Sequence, residues 1–434
     1  MTIKAFITKL IPPFLLRIYH YKMALLSAIL FGFPSRNLVV IGVTGTSGKS
    51  TTVDFITKIL EESGQKVASI SSIRFKIGEK EWKNDLKMTM PGRFAIQNFL
   101  RQAKKSGCKY VVLEVTSQGI LQYRHKFINF KTAVLTNLTP EHIEAHKGFE
   151  NYRKAKLKFF EAVKNIHIIN LDDPNSEYFL KTTAKENWGY GFKGFNLQLP
   201  SSNIKTIFAD NILETNNGLK FSVNNMEFNL NLLGKFNIYN ALAAICVGLS
   251  EGVSLDICKK SLEKVKGIAG RMEVVVKTPF TIIVDYAHTP EQLESVYKSL
   301  QEKPLICVLG SCGGGRDKWK RPILGKIARD YCKEIIITNE DPYDEDPMEI
   351  IEDVSKGTDG KAQKILDRGE AIKEAIKLAS SYDTVIITGK GSETWMCLKN
   401  GKKIPWDDCQ VAREELIKRE ELIKIEGQSQ SNLT

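Results

Sequence analysis

Two series of short, uninterrupted apolar runs, spaced by helix-patterned stretches, constrain this chain more than any other feature. The first series is Leu38–Val43, Tyr110–Val115, Thr132–Leu135 and Ile166–Ile169; the second is Phe280–Val284, Leu305–Leu309, Glu334–Ile337 and Thr384–Ile387. Such runs do not alternate polar with apolar residues, so both faces of each strand must be covered. The stretches Ser50–Glu62, Gly92–Lys105 and Phe149–Val163 in the first series, and Pro290–Leu300, Arg321–Cys332 and Glu370–Leu378 in the second, supply helices to cover them. Two such series predict two α/β domains with parallel sheets.

Between the series, Phe192–Leu233 is Asn-rich with short alternating segments and predicts an antiparallel hairpin region attached to the first domain. A helix is expected over Asn237–Glu251, and a hinge at Val265–Gly270, which has two glycines and little periodicity. The predicted segments are 1–36, an apolar helical piece; 37–267; 268–425; and 426–434, a polar tail expected to be disordered.

With 434 residues, 42% hydrophobic and 26% charged, the chain has the composition of a soluble globular protein of two or three domains. The net charge of +12 is spread along the chain among acidic residues. No basic stripe with interleaved aromatics occurs, so nucleic acid is not expected and an anionic, phosphorylated substrate fits the charge. Eight cysteines include no CxxC pair, which argues against zinc and for a reducing cytoplasm. The stretch Leu10–Phe33 is apolar-rich but interrupted by Pro12, Pro13, Arg17, His20 and Lys22. Its unbroken part, Met23–Phe33, is short of the ~20 residues that span a bilayer. No small-residue cleavage pattern follows, so a signal peptide is not expected. Two readings stand: a helix packed on the protein body, or an interfacial helix touching the inner face of the membrane through residues 10–33.

The strongest local signal is Gly42-Val-Thr-Gly45-Thr46-Ser-Gly48-Lys49-Ser50-Thr51, between a strand and a helix. Glycines let backbone N–H groups approach phosphate, and the helix N-terminus favours anions. Lys49 would neutralise phosphates and Ser50 would reach Mg²⁺. Val43 stands at the usual first glycine, with Gly42 one residue early. Other polar clusters also follow predicted strands: Glu114-Val-Thr-Ser117, Asn137-Leu-Thr-Pro-Glu141-His142 and Asn170-Leu-Asp172-Asp173. Ligands bind beyond the carboxyl ends of such strands, which makes Glu114 and His142 candidate metal ligands. In the second series, Asp285-Tyr-Ala-His288, Gly310–Asp317, Asn339-Glu-Asp341-Pro and Gly389-Lys390-Gly-Ser-Glu393 do the same. They are expected to line a crevice facing the first domain, although turn and cap roles explain the same residues.

These clusters, in this order from about Asn37 to Glu421, resemble the Mur ligase family and most closely its MurE type. The shared motifs are TGTSGKST, EVTSQGI, TNLTPEHIEAH, ENYRKAK, INLDDP, LLGKFNIYNALAA, GIAGRMEVV, VDYAHTPEQLE, GGGRDKWKRP and TGKGSET. The resemblance implies an α/β protein with a central P-loop ATPase domain on a parallel sheet and a C-terminal Rossmann-like α/β domain. It implies an ATP-dependent ligase that joins an amino acid to a muramyl-dipeptide precursor, UDP-linked or lipid-linked, through an acyl-phosphate. ATP and two Mg²⁺ ions are the implied cofactors, and a cytoplasmic monomer is expected.

By the same likeness, Gly45, Thr46, Gly48, Lys49, Ser50 and Thr51 hold phosphates, and Ser50, Glu114 and His142 hold metal. Lys156 matches the lysine that the family carries as a carbamate, an anion able to bind a second Mg²⁺; on its own the sequence makes it a solvated helix residue. Lys49, Lys156 and His142 are thus the implied catalytic residues. Asn237 and Asn240 match adenine-side asparagines, and Arg271 and Asp285 match ATP contacts from the C-terminal domain. Thr89, Ser117, Gln122 and Arg124 match positions around the muramyl peptide, with His288, Asp341 and Glu393 expected at the substrates from the second domain.

The sequence departs from the family in five places. The P-loop starts near residue 42, where the MurE type usually has a preceding uridine-binding domain of about a hundred residues, so a lipid-linked acceptor is an alternative. Met90 replaces a threonine, and Gln118 and Ser392 stand where histidines are usual. Tyr343 stands where enzymes selecting meso-diaminopimelate have an arginine, which disfavours that substrate; the acidic Glu340–Asp346 loop would suit lysine. The competing readings are a folylpolyglutamate or cyanophycin synthetase, a nucleotide-binding regulatory module without turnover, and a P-loop protein acting on nucleic acid.

Overall fold

The computed structural model describes residues 12–86, 88–194, 203–215 and 218–431. The chain divides into two compact units, Met1–Lys266 and Gly267–Thr434.

The first unit opens with helix α1, Pro13–Phe31. Proline at its first position has the φ a helix needs and lacks only an N–H that would be unpaired there. Gly32, at φ 72°, ends it, and the Gly32 and Phe33 amides bond back to Ile29 and Ala28 carbonyls. Strand β1 (Val39–Thr44) leads through the glycine loop to α2 (Lys49–Glu62). Then follow β2 (Val67–Ile70), β3 (Arg74–Ile77), β4 (Lys80–Lys83), α3 (Arg93–Lys105), β5 (Tyr110–Glu114) and α4 (Ser117–Leu121). Next come β6 (Phe130–Leu135), α5 (Ile143–His146), α6 (Phe149–Ala162), β7 (Ile166–Asn170), α7 (Ser176–Leu180) and β8 (Glu186–Phe192). The unit ends with β9 (Ile204–Thr215), β10 (Gly218–Val223), β11 (Met226–Leu230), α8 (Phe236–Ser250) and α9 (Leu255–Glu263).

Among the described residues these strands form one eleven-stranded sheet in the order β11-β10-β9-β8-β7-β6-β1-β5-β2-β3-β4. The stretch from β9 to β2 is parallel, and antiparallel pairs extend it at both ends. Along the parallel strands alternate residues serve opposite faces. Val40, Val111, Leu113, Ala133, Leu135 and Ile169 join a core with Ile96, Phe99 and Leu100 of α3 and Phe159 and Phe160 of α6. Ile41, Val43, Val112, Val134 and Ile168 lie between them in sequence and are equally buried. Helix α8 is buried on nearly every side, as an all-apolar helix must be, and packs on α2.

The second unit begins with β12 (Glu273–Val276), β13 (Thr281–Val284), α10 (Pro290–Ser299), β14 (Leu305–Leu309), α11 (Arg321–Tyr331) and β15 (Glu334–Thr338). It continues with α12 (Pro347–Ser355), β16 (Ala362–Ile365), α13 (Arg368–Leu378), β17 (Thr384–Ile387), a short hairpin β18 (Trp395–Cys397) and β19 (Lys403–Pro405), and α14 (Asp408–Ser431). Its main sheet runs β12-β13-β17-β14-β15-β16, parallel except for β12.

Three differences from the sequence reading have local causes. Residues 426–431, expected to be disordered, continue α14 to Ser431, and 432–434 lie outside the described residues. Strands β3 and β4, the last two at one end of the sheet, read Arg-Phe-Lys-Ile and Lys-Glu-Trp-Lys, charged strands that lack a continuous apolar run. Arg17, His20 and Lys22 do not interrupt α1, so the window Phe14–Phe31, of mean hydropathy 1.3, is long and apolar enough to cross a membrane by length and composition.

Candidate active site

β1 is central, with β5 on one side and β6 on the other, so the segments leaving their carboxyl ends meet above it. The Gly45–Gly48 loop lies there and α2 begins directly after it at Lys49. Gly45 and Gly48 have φ of 152° and 77°, and neither has room for a side chain. A Cβ on Gly45 would lie 1.9 Å from Thr136 Oγ1, and one on Gly48 2.2 Å from Asn240 Oδ1. The residues after β6 clamp the loop: Ser47 N donates to Asn137 Oδ1 at 2.9 Å, Thr46 N to Asn137 O at 2.9 Å, and Thr136 Oγ1 to Ser47 O at 2.6 Å.

Lys49 Nζ donates to Thr46 O at 2.8 Å and lies 3.9 Å from Glu114 Oε1. Ser50 Oγ donates to Glu114 Oε2 at 2.8 Å, and Ser72 N reaches the same oxygen at 3.0 Å. Thr51, buried in the first turn of α2, completes the group at the helix N-terminus. Lys156 is on α6, on the stripe formed by Tyr152, Ala155, Phe159 and Phe160, and is therefore buried. Its Nζ donates to Gly45 O at 2.7 Å and lies 4.7 Å from the Tyr152 ring centroid. Burial, then the charge of Lys49, push this amine well below its ordinary pKa; Glu141 and Glu114 only partly oppose them. Tyr152 OH is 3.1 Å from Thr46 Oγ1. His142, at φ 55°, has its Nε2 3.8 Å from Glu141 Oε1 and its ring edge-on to Tyr152 at 6.1 Å.

Lys49, Ser50, Glu114 and Lys156 therefore surround one loop, with His142 joined to them through Tyr152. Among the described residues no three His, Cys, Asp or Glu side chains gather as a metal cage. The Ser50 hydroxyl and Glu114 carboxylate are hard oxygen donors beside a phosphate-sized cradle. That set suits Mg²⁺, which takes few protein ligands and completes its shell with phosphate oxygens and water. Asn240 lies under the loop: its Oδ1 accepts from Thr52 Oγ1 at 3.3 Å and its Nδ2 donates to Asn237 Oδ1 at 3.1 Å.

A second cluster adjoins the first. His146 Nε2 is 3.1 Å from Ser117 Oγ, and its ring is 5.2 Å from Tyr152. Arg124 donates to Gln122 Oε1 at 2.6 Å and also to the Met90 carbonyl, next to Thr89. Met90 is itself buried, and its Sδ would meet a Cβ on Gly119 at 2.4 Å. Asn137 and Glu141 fall in a polar cluster read from the sequence but had no role there, and His146 and Tyr152 were not singled out; an aromatic four residues before a lysine on an otherwise apolar helix stripe was the available signal for Tyr152.

In the second unit, Asp285 accepts from Met272 N at 2.7 Å and Ala287 N at 2.6 Å. Burial raises its pKa against the opposing charge of Arg271. The Arg271 guanidinium lies 4.1 Å over the Tyr286 ring, and Tyr286 OH donates to Glu393 at 3.4 Å. His288 Nδ1 is 2.8 Å from Tyr286 O. Lys390 Nζ donates to Asp341 at 2.8 Å, Glu393 at 2.7 Å and Trp395 O at 2.7 Å. Burial would lower the pKa of Lys390, but these two carboxylates outweigh it and raise it. Several carboxylates of the acidic loop have internal partners. Glu345 pairs with Arg321 and Lys318, Asp346 caps α12 at Met348 N, and Asp344 accepts from Asn400 N at 2.9 Å. Glu340 Oε1 lies 2.9 Å from Cys312 Sγ, while its Oε2 is buried with no hydrogen-bond partner among the described residues.

Residues 43–248 match the Mur ligase middle domain, and residues 270–391 match the Mur ligase glutamate ligase domain. The chain is 38% identical over 415 residues to a UDP-N-acetylmuramoyl-L-alanyl-D-glutamate–2,6-diaminopimelate ligase of Syntrophomonas wolfei subsp. wolfei, covering 91% of this chain and 81% of that protein. It is 40% identical over 392 residues to the protein of the same name in Aquifex aeolicus, covering 89% and 79%. A solved structure of such a ligase superposes with a TM-score of 0.59 at 28% identity, covering 88% of this chain and 79% of that one. Two family matches in order, and relatives covered over about four fifths of their length, make this chain a member of the Mur ligase family, of the MurE type.

Proposed function

We propose that this chain is an ATP-dependent ligase that adds an amino acid to a muramyl-dipeptide precursor by way of an acyl-phosphate. One observation carries the reading: Lys49, Ser50 and Glu114 converge within hydrogen-bonding or ion-pair distance beside a loop whose Gly45 and Gly48 have no room for a side chain of their own. Lys49 and the α2 N-terminus bind the phosphates, and Ser50 with Glu114 would hold Mg²⁺, which offsets charge on the transferring phosphoryl group. An oxygen of the acceptor carboxylate attacks the γ-phosphorus, and the bond from phosphorus to the bridging oxygen of ADP breaks. The amine of the incoming amino acid then attacks the acyl carbon, loses a proton and expels phosphate. No enzyme nucleophile takes part, so binding, orientation and exclusion of water are what the protein supplies.

Lys156 is proposed as the carbamylated residue. A neutral amine is the form that attacks CO₂, and burial beside Lys49 shifts Lys156 toward that form. The carbamate so formed is an anion next to Lys49, suited to a second Mg²⁺. Thr89, Ser117, Gln122 and Arg124 are proposed to contact the acceptor. Asn237 and Asn240, with Arg271 and Asp285 from the second unit, are assigned to ATP, and His288, Asp341 and Glu393 to the substrates. Tyr343 in the arginine position argues for poor turnover with meso-diaminopimelate.

The test is phosphate release from ATP across a panel of amino acids, with UDP-linked and lipid-linked muramyl dipeptides as acceptors. Acceptor-dependent release is expected, and Lys49→Ala should abolish it. Release that needs no acceptor, or that survives Lys49→Ala, would overturn the proposal.

A further inference from the structure

We infer that α1 rests lengthwise on an anionic lipid bilayer and holds the acceptor end of the first unit at the membrane surface. The helix has two apolar faces. One, with Ala24, Ser27 and Ala28, is buried against the body beside α3. The other exposes Leu15, Ile18, Leu26, Ile29 and Leu30 by 44%, 47%, 48%, 56% and 62%. Leu15 and Ile18, and then Leu26, Ile29 and Leu30, fall on one side at three- and four-residue spacing, with the exposed Lys22 between the two groups on the same side. A helix docked on a soluble body ordinarily turns a polar face outward, and a face that is mostly apolar with a lysine set in it marks a partner surface.

Charge selects the partner. Neither α1 nor α3 contains Asp or Glu, and together they carry Arg17, Lys22, Arg93, Arg101, Lys104 and Lys105. An exposed apolar face on a helix pair that carries cations and no carboxylate is complementary to anionic headgroups over a hydrocarbon layer. Tyr19 and Tyr21, both largely exposed, have the ring-plus-hydroxyl chemistry of that interface. The helix is long enough to cross, but its inner stripe is already packed and the segment that follows its C-terminal end is tied to the body. Asn129 N donates to Ser35 Oγ at 3.0 Å and Lys104 Nζ to Asn37 Oδ1 at 2.7 Å. Crossing would draw the cations of α3 into hydrocarbon.

The helix also meets the loop assigned to the acceptor. The Arg93 guanidinium contacts His20 Nδ1, lies 6.0 Å from the Tyr19 ring, and donates to Gln122 O at 2.9 Å. Gln122 in turn holds Arg124. Resting on the reading above, this places a lipid-linked acceptor within reach of its loop while its lipid stays in the bilayer.

The full chain would be sedimented with phosphatidylcholine vesicles with and without phosphatidylglycerol. Binding to the anionic vesicles is expected, weakening as salt rises. Leu26→Glu with Leu30→Glu should reduce it at least about tenfold, with thermal unfolding and phosphate release on a soluble acceptor unchanged. Replacing Lys105 by Gln should reduce it by about fivefold. Absence of vesicle binding, equal binding to neutral vesicles, indifference to the Leu26/Leu30 change, resistance to an alkaline wash, or a stable dimer dissolved by that change would each overturn the inference. Loss of ligase turnover with vesicle binding intact counts against the catalytic reading instead.

Discussion

Gly48→Ala probes the phosphate cradle quantitatively. At φ 77° an alanine costs about 1–2 kcal/mol in backbone strain. Its Cβ would also stand 2.2 Å from Asn240 Oδ1, far inside contact distance. Asn240 is buried and bonded to Thr52 and Asn237, so moving it forfeits two hydrogen bonds of about 1 kcal/mol each. The expected loss is roughly 3–4 kcal/mol in the first unit. The Asn240→Ala replacement alone removes those same bonds and should cost about 1–2 kcal/mol. With both changes the clash disappears, so the double variant should be more stable than the sum of the singles by about 2 kcal/mol. Hydrogen exchange of α2 and α8 amides across a urea series reads the first unit specifically. Additive single losses, within about 0.5 kcal/mol, would refute the packing argument.

Three further outcomes follow from buried charge. His125 has no hydrogen-bond partner on either ring nitrogen among the described residues, and burial, then Lys126 and Lys158, lower its pKa to about 3. The unfolded chain therefore takes up a proton at pH 6.5 and the folded one only near pH 3, so stability falls as pH drops through that window, by up to about 1.4 kcal/mol per unit. His125→Leu should flatten that slope in urea melts at pH 4 to 7, and an unchanged slope would refute the assignment. Arg368 and Asp408 form a two-pronged pair at 2.8 and 2.7 Å with neither side chain exposed. Asp408→Ala strands the guanidinium and should destabilise the second unit by about 3–5 kcal/mol in denaturant unfolding; a loss below about 1 kcal/mol would contradict it. Lys156→Arg places a guanidinium there that cannot form a carbamate, so phosphate release should fall at least about a hundredfold (some 2.7 kcal/mol), and a carbamate ¹³C signal expected with labelled CO₂ should be missing. A variant that retains full activity would remove the carbamate from the mechanism.

Local pattern alone determined a good deal here. Short apolar runs such as Tyr110–Leu113 and Leu305–Leu309, alternating with helical stretches, read as strands covered on both faces, so two parallel sheets were legible. The spacing of Gly45, Gly48 and Lys49 between a strand and a helix made the phosphate loop legible as well, because glycine conformation and helix polarity are short-range properties. What the tertiary structure decided is everything that depends on which surfaces face each other. Lys156 reads as a solvated lysine until α6 is seen to turn it inward under Gly45. The carboxylates of the 340–346 loop read as free negative charge until Lys390, Arg321 and Asn400 are seen to engage them. Helix α1 reads as an interrupted apolar stretch until one face is packed and the other left bare. Burial and pairing arise between residues distant in the chain, and no periodicity within a segment encodes them.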